Sequence, residues 1–510
     1  MRNHVQAAEM KGGKEGPARA GNEFSRGTFL RSLIGATVAG AGFAALSRSG
    51  EPAVAQAQSM SGLPGSTSIK TDWNDLRSRI AGRVLLGGDP GFPAAKQIFN
   101  TRFDDRTPLA VVQVATVEDV RTAICFAAQH GIVVAARSGG HSYAGVSSAD
   151  DVMIIDVRGL RGVSYGGGQA VVAPGHTLYE VYQELDRYGQ SIPTGMCPDV
   201  GIAGLTLGGG LGFESRRYGV TCDRLTAATM VLPDGTVTDV SATSRPDLFW
   251  AIRGGGPLFG IVTSFTFDTI PATPKDLVRL TFPGDRAGEV IAGWTQWLQT
   301  ADRAQWADIS IDADGNGALD CWMQLVCPAL TGGPAAAALA SAIGMVPLSV
   351  EIDTLGHIDA VRYLAGGCST QPRASFTNGS DVVEELTPDA IGRIIQSLTT
   401  FSEGGGTGWV QINTLDGAIR DTAAEDTAFP WRNHAALVEW GAYQPIPPEV
   451  AQAWVTSSHE LFESVSAGAY ANYLEPGDAL ARYYGDNYDR LTEIRRCVDP
   501  GNRIFSVLDG

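Results

Sequence analysis

The chain has 510 residues, 38 Lys+Arg against 55 Asp+Glu, and a formal net charge of −17. That acidic balance argues against a nucleic-acid binder, which needs a cationic face for phosphates, and against attachment to anionic lipid. With 44% apolar and 18% charged residues, the composition is that of a folded protein with a large core, and the length suggests two or three domains.

Residues 1–57 read as an export signal. Arg26 and Arg31 precede an apolar, small-residue run from Leu33 to Leu46, and Ala53-Val54-Ala55 and Ala55-Gln56-Ala57 offer small-x-small cleavage sites. The run is too short to span a bilayer comfortably. It resembles a twin-arginine signal, the route for proteins that fold around a cofactor before export, with Gly27 where the second arginine would stand. The expectation is a cleaved leader, export machinery as partner of the precursor, a secreted or periplasmic/cell-envelope location and no stable membrane insertion. The seven cysteines (Cys125, Cys197, Cys222, Cys321, Cys327, Cys368 and Cys497) are scattered, with no Cys-x-x-Cys or clustered His/Cys run, so no metal site is expected. Cys321 and Cys327 are candidates for a disulfide.

Residues 58–94 lead into a first domain at 95–272. Leu109 to Val114 reads as a strand. Thr116 is an N-cap with Asp119 three on, Val117, Val120, Ile124 and Ala128 follow helical spacing, and Gly131 stops the helix. A buried strand, Ile132 to Ala136, runs straight into the loop Arg137-Ser138-Gly139-Gly140-His141-Ser142-Tyr143, and another strand follows at Val152 to Val157. A helix is expected over Leu178 to Arg187, with Gly189 as its C′ glycine. Residues 193–212 are too glycine-rich for a regular element and too apolar for a solvated linker. Met230 to Val237 reads as a hairpin through Pro233-Asp234-Gly235. A short helix over Asp247 to Trp250, the run Gly254-Gly255-Gly256 and a strand from Ile261 to Phe267 complete the domain. Pro271, Pro274 and Pro283 mark a change of texture. Residues 273–460 mix strands with Ala-rich helices such as Pro334 to Ile343, which reads as a second, substrate-binding domain with an antiparallel sheet covered by helices. Residues 461–510 turn aromatic and polar again and read as a segment returning to the first domain. The fold class is α+β.

Three glycine loops in one half of a chain point to a large phosphate-bearing ligand, because glycine lets backbone N–H groups close on a pyrophosphate. None fits a dinucleotide pattern, however, since Gly208 to Gly212 is not G-x-G-x-x-G after a strand and no Walker A lysine follows. Taken alone, tight turns in a β-rich domain explain them better. His141 and Cys197 in loops, and Tyr473 in an expected strand, would each alone pass for ordinary packing. Glu439 interrupts the apolar strand Leu437-Val438-Glu439-Trp440, as an interior or edge carboxylate or as a site acid with a raised pKa.

Their order changes that reading. Arg137 to Tyr143, Cys197-Pro198-Asp199-Val200-Gly201, Gly204 to Gly212, Asp247 to Gly256, Tyr470-Ala471-Asn472-Tyr473 and Asp499-Pro500-Gly501-Asn502 closely resemble the berberine bridge enzyme-like flavoproteins of the vanillyl-alcohol oxidase/p-cresol methylhydroxylase superfamily, over about residues 95–510. The resemblance implies a two-part FAD-binding domain of the vanillyl-alcohol oxidase type. It implies FAD held bicovalently, with His141 on the flavin 8α-methyl and Cys197, a nucleophile as its thiolate, on C6. Arg137, Ser138, Gly139, Gly140, Val200, Gly201, Gly204, Gly208, Gly209, Gly210 and Asn472 would line the cofactor. Tyr473 matches the family's base and Glu439 a second base or base-helper. A phenol with a pKa near 10 needs a drop of ~3 units to match working pH, from a nearby cation, a hydrogen bond to the phenolate or the flavin itself. Val200 implies access for dioxygen, while Gly256-Pro257-Leu258-Phe259-Gly260 lacks the family's Asn before Phe-Gly.

The function implied is an exported oxidase that passes hydride from an alcohol or hemiacetal carbon of a sugar, oligosaccharide or glycosylated metabolite to flavin N5 and then to dioxygen, giving hydrogen peroxide. Its partners are then a small-molecule substrate and dioxygen. The alternatives are a dehydrogenase with another acceptor, a flavin-loaded binding protein, or a tailoring enzyme for an amine or phenolic natural product with Glu439 as base. Trp409, Trp440 and Tyr443 are candidates to stack on a sugar ring.

Overall fold

In the computed structural model, which describes residues 71–505, the strand-helix-strand unit read from the sequence is present; the segment expected to be an export signal lies outside the described residues. Thr116 caps the helix Val117–His130 by accepting the Asp119 amide, and Gly131 ends it at φ 65°, a left-handed position that a residue without Cβ takes at little cost. Asp119 does not complete a capping box. Its carboxylate accepts from the amides of Ala81, Gly82 and Ala115 and so ties the preceding chain to the helix. Strands β1 (Arg83–Leu85), β2 (Ala110–Gln113), β3 (Val134–Arg137) and β4 (Met153–Asp156) form a sheet in the order β1-β2-β4-β3, parallel except for β1. Val111, Val112, Ile154 and Ile155 are wholly buried, as a parallel sheet covered on both faces requires.

A second sheet is antiparallel, in the order β5-β6-β10-β8-β9, from β5 (Val163–Gly166), β6 (Gln169–Val172), β8 (Leu225–Val231), β9 (Val237–Ser241) and β10 (Ile261–Asp268). The Pro-Asp-Gly turn joins β8 to β9, and β7 (Gln190–Ser191) pairs with β11 (Ile270–Pro271) beside it. The helix Leu178–Asp186 starts on a capping box between Thr177 and Glu180. The glycine-rich stretch differs from the sequence reading, because Ile202–Leu207 within it is a helix. Ile202, Ala203, Thr206 and Leu207 are buried at helical spacing while Gly204 faces out, so burial of one face outweighs the poor helix propensity of glycine.

The third sheet has eight strands: β12 (Lys275–Phe282), β13 (Trp306–Asp314), β14 (Leu319–Pro328), β15 (Ser349–Leu355), β16 (Phe376–Val383), β17 (Thr407–Thr414), β18 (Ala436–Tyr443) and β19 (Ser466–Gly468). They are antiparallel, in the order β15-β12-β14-β13-β17-β18-β16-β19. Side chains alternate across such a sheet. One face carries Val278, Leu280, Ile309, Ile311, Met323, Val410, Ile412 and Val438, in one core with apolar residues of the helices Ala287–Leu298, Gly332–Ile343, Pro388–Glu403 and Pro448–Phe462. The alternate positions place Arg279, Asp308, Gln411 and Glu439 on the other face. Cys321 and Cys327 are buried and free. Six positions apart on one strand, they are about 20 Å from each other, which rules out the disulfide considered from sequence. After β19 the chain returns to the first sheet, where Val134 N donates to Arg503 O and Phe505 N to Val134 O. Among the described residues no helix is long and apolar enough to cross a membrane, and no group of His, Cys, Asp or Glu is placed to hold a metal.

Candidate active site

The loop after β3 is positioned by a close crossing of two backbones. A Cβ on Gly139 would lie 2.2 Å from Gly201 N, and one on Gly201 would lie 2.2 Å from Gly139 N and from Ser138 Oγ. Glycine at both positions lets the His141 loop lie directly against the Cys197–Gly201 loop. Ser138 Oγ also donates to Pro174 O at 2.6 Å. Arg137 is buried with its guanidinium turned to Asp156 Oδ2 (2.9 Å) and to main-chain carbonyls of Ala95 and Lys96, so its side chain serves the loop's anchor.

His141 stacks on Phe99 with ring centroids 4.1 Å apart. Burial pushes its imidazole down to about 4, so it is neutral and nucleophilic at ordinary pH. The Cys197 side chain keeps exposed surface, yet protein surrounds it closely enough to push its thiol up to about 11, through burial and then the charges of Glu439 and Asp199. Both facts describe a residue on the wall of a recess. The protonated thiol is thus favoured over the thiolate through which the sulfur would act as a nucleophile. Gly204 borders open space, with nothing within 4 Å of a Cβ there.

Glu439 sits on the polar face of β18, 3% exposed. Its Oε1 accepts from Tyr143 Oη at 2.8 Å and from Asn378 Nδ2 at 2.9 Å, and its carboxylate is hydrogen-bonded to Tyr473 as well. Burial raises it to about 7 despite those three donors. The Tyr143 and Tyr473 rings stack at 4.8 Å, and Phe376 meets Tyr143 edge-on. Tyr473 belongs to a 3-10 turn, Ala471–Tyr473, and not to a strand. Tyr470 Oη holds that turn by accepting from Gly210 N and Asn472 Nδ2, and Asn472 also donates to Leu205 O. The phenol of Tyr473 is pushed well above its ordinary value, first by burial and then by the charge of Glu439. The sequence reading left a nearby cation, a hydrogen bond to the phenolate or the flavin itself as means of lowering it. The structure supplies a carboxylate that receives its hydrogen bond.

The remaining candidates divide. Gly208 is in contact with Asn472, whose Oδ1 would lie 2.1 Å from a Cβ, while Gly209 (φ 115°) faces Phe429 and Gly210 (φ 89°) faces Thr221. Close protein packing thus explains these three glycines. Val200 lies beside the Cys197 turn, where its amide donates to Cys197 O. Trp409 and Tyr443 stack on each other at 6.3 Å. Trp440 is on the helix-covered face, fully buried, with Nε1 bonded to Asp381, so it cannot meet a sugar. The sequence reading missed Tyr143 and Asn378. Tyr143 closes the His141 run, and Asn378 lies in the polar stretch 377–381 of β16, but neither pattern names Glu439 as partner. Asn378 Oδ1 and Trp409 Nε1 are buried without a protein partner. An accessible thiol, a neutral imidazole and an open glycine edge fit an electron-poor ring attached at two points.

The FAD binding domain family matches residues 108–241, and the Berberine and berberine like family matches residues 469–505. The uncharacterized FAD-linked oxidoreductase YgaK of Bacillus subtilis is 29% identical over 437 residues, which cover 84% of this chain and 96% of that protein. The xylooligosaccharide oxidase of Thermothelomyces thermophilus is 29% identical over 442 residues, 79% of this chain and 88% of that protein. The structure of BBE-like 1 from Physcomitrella patens superposes with a TM-score of 0.79 at 25% identity, covering 86% of this chain and 98% of the other.

Proposed function

The chain is a berberine bridge enzyme-like FAD-dependent oxidase, and from that premise we propose that it is exported and oxidises the alcohol or hemiacetal carbon of a sugar, oligosaccharide or glycosylated metabolite, with FAD tethered through both His141 and Cys197 and hydrogen peroxide as co-product. The observation that carries the reading is the Glu439 carboxylate, raised to about 7 in a recess and hydrogen-bonded by Tyr143, Asn378 and Tyr473. FAD, when bound, would supply the hydride acceptor and the route for the electrons to dioxygen. Tyr473 Oη takes the proton of the substrate hydroxyl while its own proton moves to Glu439. The phenol then needs no stable phenolate. An acceptor near 7 in place of one near 10 is worth ~4 kcal/mol and lies where a general base works best. Asn378 Oδ1 accepts from a neighbouring substrate hydroxyl, and Trp409 and Tyr443 offer ring faces. The xylooligosaccharide oxidase relative supports a sugar substrate, and the small Val200 beside Cys197 supports oxygen access.

A second reading, oxidation of an amine or phenolic natural product, is favoured by one feature. Tyr143, Tyr473, Phe376 and Tyr443 gather around Glu439, and a carboxylate among aromatic faces also suits an ammonium group.

The test starts with acid precipitation of the purified protein. Flavin that stays in the pellet supports the tethers, and His141→Ala or Cys197→Ala should each shift the flavin spectrum and leave one bond; flavin released to the supernatant overturns them. Glucose, cellobiose, xylobiose, chitobiose and 6-hydroxynicotine are then screened for peroxide. Peroxide with a sugar supports the proposal, flavin reduction by the amine alone selects the second reading, and reduction without peroxide makes the enzyme a dehydrogenase. Val200→Leu should slow reoxidation by dioxygen about tenfold while leaving reduction by substrate within twofold.

A further inference from the structure

Behind the Tyr473–Glu439 contact lies a buried charge cluster that the proposed chemistry does not use. His459, on the helix Pro448–Phe462, places Nδ1 2.7 Å from Asp381 Oδ2 and Nε2 3.0 Å from Glu475 Oε2. Arg482 donates to Asp381 Oδ1 at 2.9 Å and to Glu475 Oε1 at 3.2 Å; its Nη2 also lies 3.0 Å from His459 Nδ1, an approach that is no hydrogen bond when that nitrogen carries a proton. Asp381 also accepts from Trp440 Nε1 and Ser466 Oγ. Asp381 is fully buried, Glu475 is 5% exposed, and Gly379 makes room for the Glu475 carboxylate, which would lie 2.6 Å from a Cβ there.

We propose that His459 is a positioning residue for Tyr473: as an imidazolium bridging Asp381 and Glu475, it fixes the turn that carries Tyr473 against the strand that carries Asn378, and so holds the Tyr473–Glu439 contact together.

The connections are short. Glu475 is two residues after Tyr473. Ser380 of β16 ties the same two segments, since its Oγ accepts from Tyr470 N at 3.1 Å, its carbonyl from Arg482 Nη2 at 2.7 Å, and its amide faces Glu475 Oε1 at 3.4 Å. Ser380 is the cross-strand partner of Glu439, and Asn378, two residues earlier, donates to Glu439. The cluster therefore grips both sides of the proton-handling pair. Ionised carboxylates only accept hydrogen bonds, so a ring set between two of them donates from both nitrogens and carries a positive charge. Burial alone would lower the imidazole, but Asp381 and Glu475 outweigh it and hold it up at about 9. The charged groups that face it are Asp381 from β16 and Glu475 and Arg482 from the C-terminal segment, with Asp478 bonded to Arg482 behind them. Glu460 and Glu463 of its own helix are exposed. Loss of the ring proton leaves a buried carboxylate without one of its partners, which is strongly unfavourable, and the least costly relief is movement of the Glu475 segment.

The inference rests on Tyr473 and Glu439 being the proton-handling pair. Its test uses the flavin-loaded full chain, with cellobiose as first probe or whichever sugar the peroxide screen selects, and kcat/KM measured from pH 5.5 to 10. The wild type should lose activity reversibly with a midpoint near 9. Glu475→Gln, which removes one of the two anions, should lower that midpoint by at least one unit. His459→Gln should abolish the alkaline limb and reduce kcat about tenfold with KM within twofold. In a Tyr473→Phe background the same substitution should have no further effect, because residues acting as a unit are not additive. No alkaline limb in the wild type, an unmoved midpoint in Glu475→Gln, or equal effects in both backgrounds overturns the inference. Should His459→Gln fail to load flavin, the first two profiles decide alone. Full activity in Tyr473→Phe and Glu439→Gln would instead overturn the proton-handling pair itself.

Discussion

Glu439 is the residue whose ionisation has the most direct consequence. It must be charged to accept a proton, and burial holds it at about 7. The acid limb of kcat/KM should therefore rise through about pH 7, well above the ordinary carboxylate range. Glu439→Gln should lower kcat/KM by about 10²–10⁴, the usual worth of a positioned general base, and remove that limb from the pH profile. Sequence exposed this residue as a carboxylate inside an apolar strand, and it exposed His141 and Cys197 through their loops. It did not show that the Tyr473 phenol and the Cys197 thiol are both raised. Both shifts come first from burial and then from the charge of Glu439, more than thirty residues away in sequence from either, with smaller contributions from nearby Asp199 and Tyr470, so the sequence around Tyr473 or Cys197 could not reveal them in full.

At the scale of elements, the glycine runs carry the lesson. Those at 208–210 lie against Asn472, Phe429 and Thr221, whereas Gly139 and Gly201 make the crossing that brings two site loops together. Gly201→Ala should force those loops apart, at a cost of about 1–3 kcal/mol for an overpacked site, and lower the flavin-to-protein absorbance ratio together with the melting temperature. Gly333→Ala is the control, because nothing lies within 4 Å of a Cβ there, and it should leave both unchanged. The parallel strands, the helix capped by Thr116 and the Pro-Asp-Gly hairpin were legible because their signals are local: a cap, a stop, a period. The helix Ile202–Leu207 was not, because only its burial against the surrounding core makes a glycine-containing hexamer helical.

For the whole molecule, the third sheet sets the balance of charge. Its polar face buries the carboxylates Asp308 and Glu439. Burial raises Asp308 to about 7, with Gln411 and main-chain amides only partly offsetting it, and Glu439 to about 7 as well. A carboxylate whose folded value lies above its unfolded value adds stability at low pH and loses it as pH rises from the unfolded value to the folded one. The protein should therefore melt at a higher temperature near pH 5 than near pH 7.5, each group contributing on the order of 3 kcal/mol to the difference. Asp308→Asn should flatten that dependence in a thermal-melt series across pH. Below pH 4 the trend should reverse, since Asp156 and Asp381 are held below their ordinary values by Arg137, Arg158, His459 and Arg482 against the opposing effect of burial, and their contribution is lost as they protonate.

The sequence by itself determined the α+β class, the succession of strands and helices, the flavin-linked family resemblance and the presence of His141, Cys197, Tyr473 and Glu439. Those follow from periodicity, caps and ordered motifs, each contained in a short window of chain. Only the tertiary structure decided that Tyr143 and Asn378 join Glu439, that Trp440 faces the helices while Trp409 faces the recess, and that Asp381, His459, Glu475 and Arg482 brace the Tyr473 turn. Those facts depend on strand register and on burial, and a buried charge takes its properties from partners that the fold alone brings within hydrogen-bonding distance.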